Sequence, residues 1–587
     1  MSGDFVNLRS KYYQAGTIPL LEYPRPHFER DSYFSLNGPW HYAISKDAKS
    51  QAFAGEIIVP FSPEALLSGV NRRVKHDEYL IYERNVVLPK GFKKEHLILH
   101  FGAVDQTAHI YIDNNFVAKH HLPFFPFSVD ITKFVKSNKF TLRVVTKDVT
   151  HRGNTFVGKQ KEKRGGIWYT PQTGIWQSVW LESLPKAYLE NVAINPSFDE
   201  KTVTFTFAKV GKGDIAIKIY AQNKLIETIR TSDDEIRVTF RDINAWSPET
   251  PFLYDVEFTF NEDIVKSYFA FRKISKALDK NGIMRFCLND EPVFQSGILD
   301  QGYYSDGLLT APSDQALIDD IMLVKKMGFN MIRKHIKMES LRFYYHCDRL
   351  GMLVWQDMIN LVPPALYNVN GAKAMFFGRH HRDIKTKRYG VKNAAQRKIF
   401  ERGLDELINV LKFFPSIVTW VPFNEGWGQF NAKSAVKRIK ELDNTRLIDH
   451  ASGWSDQGIS DYYSEHIYFK KLKLRPRKIK NRIIAITEFG GYSYKVNNHI
   501  YNRGKTFGYR IYKEKTALMN GFENLYLKEA LPLINRGLNV LIYTQLSDVE
   551  DEVNGLVTFD RKVIKFDINK VKKINMQLYH AFADQKK

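Results

Sequence analysis

The sequence predicts a multidomain protein in which two β-sandwiches, the second of them immunoglobulin-like, precede a C-terminal (β/α)8 TIM barrel. Its 587 residues suffice for about three or four domains of ordinary size. Short strand-like runs of alternating polarity, separated by turn residues, fill the chain up to about residue 275. After residue 276, apolar strand-like runs alternate with segments of helical period, which is typical of a barrel.

Residues 1–184 are predicted to form the first β-sandwich. One hairpin can be read directly, because the runs HIYI and FVAK flank Asp113, Asn114 and Asn115, residue types that favour turns. No segment of helical period of useful length precedes residue 184. The apolar faces of these strands therefore have to cover one another.

Residues 185–275 carry a second, smaller set of strands, which fits an immunoglobulin-like sandwich. Pro248 and Pro251 interrupt the segment before its last run and restrict that segment to a turn or a sheet edge. The predicted strands lie in the runs AYLENVAINPSF, KTVTFTFAKV, DIAIKIYAQ, EIRVTFRD and LYDVEFTFN.

Residues 276–587 are predicted to form the barrel. A helix that starts near Ser313 and a second helix over residues 396–413 each place apolar side chains on one face. These side chains are Leu317, Ile321 and Val324 in the first helix, and Phe400, Leu404, Leu407, Ile408 and Leu411 in the second. The eight strand-like runs are PVFQSGI, FNMIR, MLVWQ, SIVTWV, RLIDH, YYSEHIY, IIAITEF and NVLIYTQ.

The formal net charge of +22 raises the question of an anionic partner. Most basic residues are scattered, with clusters only at residues 159–164 and 470–482. A solvated face and an anion-binding patch both fit these clusters, and the solvated face is the preferred interpretation. A nucleic-acid partner is not predicted, because the chain has no basic stripe with interleaved aromatic residues and no recognised nucleic-acid motif.

The first residues, MSGDFVNLRSKYYQAG, contain no apolar segment like that of a secretory signal, and no apolar stretch long enough for a membrane span follows. A cytoplasmic protein without a membrane partner is therefore predicted. Cys287 and Cys347 lie in apolar segments, where buried thiols are expected. No cofactor is predicted, because no cluster has zinc spacing and no glycine-rich phosphate loop follows a strand. A structural Mg²⁺ or Na⁺ ion and a homo-oligomer stay open.

Two glutamates stand where predicted barrel strands end, which is where barrel enzymes hold their catalytic groups. Strand four, SIVTWV, runs into Glu425, and strand seven, IIAIT, runs into Glu488. A retaining glycosidase needs two carboxyl groups about 5–5.5 Å apart, one protonated to assist the leaving oxygen and one ionised to attack the anomeric carbon. A lone glutamate at a strand end would more often form a salt bridge, but two on these strands favour catalysis.

The chain resembles glycoside hydrolase family 2 over nearly its whole length. In the first sandwich the similar segments are LNGPW at 36–40, YER at 82–84, GIWYTP at 166–171 and GIWQ at 174–177. The second sandwich and its exit contribute WSP at 246–248, LY at 253–254 and FRKI at 271–274, and the barrel contributes FNE at 423–425 and TEFG at 487–490. The resemblance implies a jelly-roll sugar-binding domain at the N-terminus and hydrolysis of terminal β-linked sugars with retention.

The same resemblance implies roles for individual residues. Glu425 would be the general acid/base and Glu488 the nucleophile, with Asn424 bonded to the sugar 2-hydroxyl. Tyr468, at the end of strand six, would donate a hydrogen bond to the nucleophile. His466 would bind sugar hydroxyls or serve a structural role.

Further candidates lie at or just after the ends of other strands. Arg333 ends strand two, where its guanidinium could hold the nucleophile as an anion or form a structural ion pair. His335 and Asp357, which close strands two and three, are candidates for binding hydroxyls. Trp427 lies two residues after the acid/base and could stack on a sugar ring or belong to the core.

The chain departs from the family pattern at three places. Ile336 stands where the galactosidases have a histidine three residues after the arginine of strand two. Strand eight lacks the usual terminal tryptophan, so Gln545 and Asp548 are predicted to replace stacking with hydrogen bonds. The glucuronidases hold the substrate carboxylate with an Asn-x-Lys pair on a barrel loop, whereas the match here, NAK at 431–433, lies on the helix after Glu425.

These features predict a retaining exo-glycosidase that acts on a neutral, β-galactosyl-type substrate. A β-glucuronidase or another β-glycosidase of the family is the alternative, and the basic surplus favours a uronide. An alternative of another class is a catalytically silent carbohydrate-binding protein, against which the two intact glutamates argue.

Overall fold

The computed structural model describes residues 6–585 except 153, 362–381, 385–389, 392, 475–478 and 480, and only the backbone of residue 151. It confirms the predicted fold class, because two β-sandwiches lead into an eight-stranded parallel barrel sheet. Within these residues no helix is both long enough and apolar enough to cross a membrane. The thiols of Cys287 and Cys347 are buried, as predicted.

The first sandwich is the predicted jelly-roll domain. Its strands are Tyr33–Ser35 (β1), Gly38–Ser45 (β2), Gly55–Val59 (β3), Tyr79–Val87 (β4), His96–Phe101 (β5), Val104–Asp105 (β6), Thr107–Ile112 (β7), Asn115–His120 (β8), Phe127–Asp130 (β9), Lys139–Lys147 (β10), Gly174–Ile175 (β11) and Val179–Leu184 (β12). A four-stranded sheet, β1-β12-β5-β9, faces a six-stranded sheet, β3-β2-β4-β10-β7-β8. Leu99 and Leu181 of the first sheet share one core with Trp40 and Ile110 of the second.

Local turn chemistry acts in this domain as the sequence predicts. Asp113 and Asn114 join β7 to β8 with positive φ angles of 47° and 64°, as a tight hairpin turn requires. Asn115, the third predicted turn residue, already belongs to β8. The helical segments described before residue 184 are the short 3-10 turns Leu66–Ser68 and Thr150–Arg152.

The second sandwich comprises Tyr188–Ser197 (β13), Thr202–Val210 (β14), Ile215–Ala221 (β15), Lys224–Thr231 (β16), Glu235–Thr239 (β17), Tyr254–Phe260 (β18) and Asp263–Phe269 (β19). The sheet β13-β14-β17 packs on the sheet β16-β15-β18-β19. Strands β16 and β19 lie outside the predicted runs. Strand β16 is a sheet edge with Leu225 and Ile226 exposed, so it lacks the inward-facing alternation by which strands are recognised.

Three strands, Ile274–Leu278 (β20), Met284–Leu288 (β21) and Glu291–Pro292 (β22), form a small sheet that precedes the barrel. The barrel strands one to eight are Gln295–Asp300 (β23), Met331–Lys334 (β24), Leu353–Asp357 (β25), Ile417–Val421 (β26), Leu447–Ile448 (β27), Tyr462–Ile467 (β28), Ile483–Gly490 (β29) and, after the short pair Tyr492–Tyr494 (β30) and Arg510–Tyr512 (β31), Leu538–Thr544 (β32). Their order is β27-β26-β25-β24-β23-β32-β29-β28, and all paired neighbours are parallel.

The described helices of the barrel are Asp314–Lys326 (α1), Leu341–Leu350 (α2), Ala394–Leu411 (α3), Ala432–Leu442 (α4), Lys515–Asn524 (α5), Leu531–Ile534 (α6) and Ile568–Asp584 (α7), with a π-helical segment, Leu525–Ala530, between α5 and α6. Ser313 caps α1 and Asn393 caps α3, each by accepting a backbone N–H with its side chain. Every apolar side chain predicted on the inner faces of α1 and α3 is buried.

The segment between β10 and β11, residues 148–173, carries the first sandwich to the mouth of the barrel. The backbone N–H of Val157 donates to Asn360 O at 2.8 Å. Arg164 Nη1 donates to Glu550 Oε2 at 3.0 Å and to Asp551 Oδ1 at 2.8 Å. We call residues 148–173 the mouth loop, because these bonds fix it against the loops that follow the barrel strands.

Candidate active site

Glu425 and Glu488 face each other at the carboxyl ends of barrel strands four and seven. Glu425 follows β26, and Glu488 lies near the end of β29. One carboxylate oxygen of each, together with a ring nitrogen of His466, lie within 4.8 Å of one another. This separation is close to that of a retaining glycosidase and shorter than the gap of about 6.5–9.5 Å that an inverting enzyme keeps for a water molecule.

Glu425 is held in a left-handed backbone conformation, with φ at 51°. Its backbone N–H donates to Ser452 O at 2.8 Å, and its Oε1 lies 2.8 Å from His466 Nδ1. Burial raises the pKa of Glu425 to about 7, although the positive charges of Lys159 and Arg333 act in the opposite direction. Near neutral pH this carboxyl group therefore divides between its protonated and ionised forms.

Glu488 sits among groups that stabilise its anion. Arg333 Nη1 donates to Oε1 at 3.2 Å, and the hydroxyl of Tyr468 donates to Oε2 at 2.7 Å. Both donors favour the ionised carboxylate. The two glutamates are therefore in opposite environments, the arrangement that separates a proton donor from a nucleophile.

Arg333 connects four residues of the site from a fully buried position. It binds Asp357 through Nε at 2.9 Å and Nη2 at 3.0 Å, a two-point contact that fixes the guanidinium plane. Its Nη2 also donates to Asn424 Oδ1 at 2.7 Å. His335 Nδ1 lies 2.7 Å from Asp357 Oδ2, so this predicted hydroxyl-binding pair is already joined.

Asn424 offers a free donor to the pocket. Its Oδ1 is occupied by Arg333, which assigns Nδ2 as the other amide atom. Among the described residues no acceptor meets this buried Nδ2. An unpaired buried N–H is costly, which points to a hydroxyl supplied by a ligand.

His466 lies between the two glutamates, with Nδ1 at 2.8 Å from Glu425 Oε1 and 3.4 Å from Glu488 Oε2. Burial lowers its pKa to about 4, so the imidazole is neutral near pH 7. Arg333 Nη1, which can only donate, lies 3.4 Å from Nε2. The proton is therefore assigned to Nδ1, where it can be shared with Glu425.

Aromatic rings line two sides of the site. The ring of Tyr468 stacks on Tyr509 with centroids 3.7 Å apart, and its hydroxyl lies 2.8 Å from Thr544 Oγ1. Trp427 packs against Trp168 of the mouth loop, with centroids 5.3 Å apart. Trp427 is therefore part of a wall that both domains build, and no stacking surface can be assigned to it alone.

Lys159 is buried, contrary to the expectation from the sequence. The preferred interpretation of the 159–164 cluster is a solvated face, yet Lys159 is only 5% exposed and lies in the mouth loop near the glutamates. Arg164, of the same cluster, binds two carboxylates. Burial lowers the pKa of Lys159, while Glu552, Glu488 and Glu425 oppose that shift.

The predicted hydrogen-bonding residues after strand eight are engaged with protein groups. Gln545 accepts from Gln301 Nε2 at 2.9 Å and donates to Asn554 Oδ1 at 2.8 Å. Asp548 accepts from Lys565 Nζ at 2.5 Å and from the backbone N–H of Gly555 at 2.8 Å. Their role in sugar binding stays a prediction.

Sequence reasoning missed Lys159, Trp168, Tyr509 and Glu552 as parts of this site. Glu552 accepts a short hydrogen bond from Tyr169 of the mouth loop. The signal available for the loop was its composition, since residues 159–171 combine basic residues, two glycines and two aromatics without strand or helix period. That composition indicates a functional loop without saying which strands it covers.

Glu425, His466 and Glu488 are also the residues, within the described chain, whose ligand atoms could meet on one metal ion. The mixed nitrogen and oxygen set would suit a transition metal better than Mg²⁺ or Na⁺. Arg333 binds one of these carboxylates, and its positive charge opposes a cation at this point.

Three family models match successive parts of the chain. They are described as Glycosyl hydrolases family 2, sugar binding domain, over residues 70–185, Glycosyl hydrolases family 2, over 187–272, and Glycosyl hydrolases family 2, TIM barrel domain, over 286–483.

Individual known proteins are similar at low identity. A protein of Streptococcus agalactiae named beta-glucuronidase is 24% identical over 422 residues, 67% of this chain and 66% of its own. A beta-galactosidase of Thermoanaerobacter pseudethanolicus is 22% identical over 292 residues, 47% of this chain and 39% of its own. The chain thus spans less than two thirds of either relative. A solved beta-glucuronidase from an uncultured Clostridium sp. has the same fold, with a TM-score of 0.72 at 17% identity, covering 96% of this chain and 100% of that one.

Proposed function

Because the chain belongs to glycoside hydrolase family 2, we propose that it removes terminal β-linked sugars from glycosides with retention of anomeric configuration. The observation that carries this proposal is the pair of glutamates in opposite environments. Burial holds Glu425 near the balance between its two forms, while Arg333 and Tyr468 stabilise the anion of Glu488. A binding protein without activity would gain nothing from this division.

In the first step Glu488 attacks the anomeric carbon and the bond to the leaving oxygen breaks. Glu425 gives its proton to that oxygen, and the sugar is left as an ester of Glu488. Asn424 is positioned by Arg333, and its free Nδ2 donates to a sugar hydroxyl, for which we propose the 2-hydroxyl. Glu488 loses its negative charge as the ester forms, so the hydrogen bonds from Arg333 and Tyr468 weaken in this step.

In the second step water attacks the anomeric carbon of the ester. Glu425, now ionised, takes a proton from that water, and Glu488 leaves as a carboxylate stabilised again by Arg333 and Tyr468. His466 supports both steps, because its neutral ring donates from Nδ1 to the ionised form of Glu425.

An exo mode is proposed from the mouth loop. Trp168 of the mouth loop packs against Trp427, two residues after Glu425, and Arg164 ties the loop to Glu550 and Asp551 beyond strand eight. A polysaccharide would need a groove open at both ends, and we expect this wall to close one end. Digestion of a polymeric substrate should therefore release monosaccharide first; mid-sized products at early times would contradict an exo mode.

The sugar is the finer question. The expectation of a neutral, galactosyl-type substrate rests on the NAK segment at 431–433, which begins helix α4 with Lys433 exposed. Lys159, a buried basic residue near both glutamates, favours a uronide instead. Relatives named beta-glucuronidase and beta-galactosidase support the two alternatives equally.

Covalent labelling tests the catalytic assignment. The enzyme is first screened on a panel of nitrophenyl α- and β-glycosides, and then treated with the 2-fluoro derivative of the best sugar. Peptide mass spectrometry should find the label on Glu488, and Glu488→Gln should take up none. Label on Glu425, or an α-glycoside as the best substrate, would overturn the assignment.

A further inference from the structure

Within the described residues, Lys159 is a buried cation of the pocket that contacts aromatic rings but no carboxylate. Its Nζ lies 5.1 Å from the ring centroid of Trp427, 5.3 Å from that of Trp168 and 5.8 Å from that of Tyr169. These faces attract an ammonium group but accept no ordinary hydrogen bond. Across the part of the chain that the structure describes, no carboxylate oxygen approaches this ammonium within 4.0 Å.

The position of Lys159 relates it to the reacting groups. The charges of Glu552, Glu488 and Glu425 all act on Lys159, and Lys159 in turn is the strongest of the charges that oppose the rise in the pKa of Glu425. The ammonium is therefore near these glutamates but forms an ion pair with none of them.

A buried charge that is bonded to no counter-charge is costly. Proteins keep such groups where a ligand completes them. Lys159 is rigidly presented, since Trp427 and Trp168 enclose its tip and its backbone carbonyl accepts from Tyr169 N–H at 3.0 Å. An aromatic surround also excludes water, which strengthens a charge pair formed on binding.

We propose that Lys159 is the specificity-determining residue of this site and that it selects a terminal sugar with a carboxylate at C6, a hexuronic acid, over the neutral hexose. This inference rests on the proposed function. The carboxylate would enter the space under the two tryptophans and pair with the ammonium. The positive charge that binds the carboxylate then comes from the first sandwich, and not from the barrel segment 431–433 that matches the Asn-x-Lys pattern.

Matched substrates isolate the C6 group. The pairs are 4-nitrophenyl β-D-glucuronide with the β-D-glucoside, and the β-D-galacturonide with the β-D-galactoside. For at least one pair, kcat/KM of the wild-type enzyme should favour the uronide by about tenfold or more. In Lys159→Met the ratio of uronide to neutral sugar should fall by about 100-fold, the usual result of removing one member of a buried charge pair. Lys159→Arg should retain part of the ratio.

Controls separate this role from a structural one. Lys433→Met removes the exposed lysine of α4 and should leave the ratio unchanged. Lys159 also lowers the pKa of Glu425, so its replacement shifts the pH profile. Each ratio of kcat/KM values is therefore measured at a pH where kcat/KM of the variant in question has reached its low-pH plateau. If Lys159→Met does not fold, inhibition of the wild-type enzyme by free hexuronates and hexoses gives the same comparison.

Failure of this inference and failure of the proposed function give different results. A wild-type preference for the neutral sugar in both pairs, or an equal loss on both members in Lys159→Met, overturns the inference while leaving the glycosidase assignment intact. If no glycoside is turned over and no 2-fluoro sugar labels Glu488, the proposed function itself fails. Tighter inhibition by a hexuronate than by its matched hexose, lost in Lys159→Met, supports the inference.

Discussion

Glu425 and Glu488 carry the same functional group, and their neighbours decide what each one does. Glu425 is buried with one neutral histidine as its hydrogen-bond partner, whereas Glu488 accepts from Arg333 and Tyr468. The same two sequence motifs would also fit a structure in which Glu425 had the surroundings of Glu488 and Glu488 those of Glu425. The roles that we propose therefore follow from contacts that belong to strands two and six as much as to the strands that carry the glutamates.

The pH dependence of kcat/KM should reflect the ionisation of Glu425. The reaction needs its proton, and that proton is lost as the pH rises through a pKa of about 7. We expect kcat/KM of the free enzyme for an unactivated glycoside to fall above about pH 7. In Glu425→Ala, assayed with a dinitrophenyl glycoside that needs no acid, this limb should be absent. The same limb in that variant would assign it to another group.

Removal of each glutamate should give a different failure. Glu488→Ala should abolish turnover of every substrate, because no other group forms the covalent ester. Glu425→Ala should still cleave activated aryl glycosides, since a nitrophenolate leaves without a proton, and the ester should accumulate. Azide needs no general base, so it should restore turnover of Glu425→Ala with a β-glycosyl azide as product. An α-azide from Glu425→Ala would reverse the two roles.

At the scale of elements, the barrel has one weak seam. Strands β27 and β28 are neighbours without a shared ladder in the described chain. Asp461, just before β28, bridges them, because its backbone N–H donates to Ile448 O at 3.1 Å and its Oδ2 accepts from Ile448 N–H at 3.0 Å. The strand that carries His466 is paired with β29 on its other edge, and Asp461 links its start to β27.

Asp461→Ala should loosen that seam. Loss of the acceptor leaves the Ile448 amide unpaired, a cost of about 1–3 kcal/mol, so amide exchange in β27 and β28 should accelerate by about 5- to 100-fold. Hydrogen exchange followed by mass spectrometry measures this directly. Lys276→Met removes the 2.8 Å ion pair to Asp461 Oδ1 and a 3.5 Å contact to Asn481 O but keeps the strand bridge, so it should change exchange much less. Equal effects of the two variants would show that charge, and not the strand bridge, matters.

At the scale of the whole molecule, two domains build the candidate active site. The barrel supplies the glutamates, while the mouth loop of the first sandwich supplies Lys159 and Trp168. Arg164 holds that loop to Glu550 and Asp551, both nearly inaccessible to solvent. The sandwich therefore contributes directly to the pocket and does not act only as a remote sugar-binding module.

Arg164→Met should release the loop and remove the cation that pairs with the buried carboxylates of Glu550 and Asp551. Such a change commonly costs about 3–5 kcal/mol. We expect a lower midpoint of thermal unfolding. We also expect kcat/KM to fall by a similar factor for every substrate, since the loop as a whole moves. Arg152→Met, in the same loop, removes an exposed pair with Glu162 and should have little effect on either measurement. Wild-type behaviour of Arg164→Met would show that the loop is held by other contacts.

The sequence alone determined the features that local pattern encodes. Alternating polarity gave the sandwich strands, the change of period gave the barrel, and strand ends placed Glu425, Glu488, Arg333 and Tyr468 on one rim, because parallel strands of a barrel all end on the same side. Only the tertiary structure decided which neighbours each glutamate meets. It also brought Lys159 beside residues far along the chain, an encounter set by the docking of one domain on another, for which no local period in the sequence is a signal.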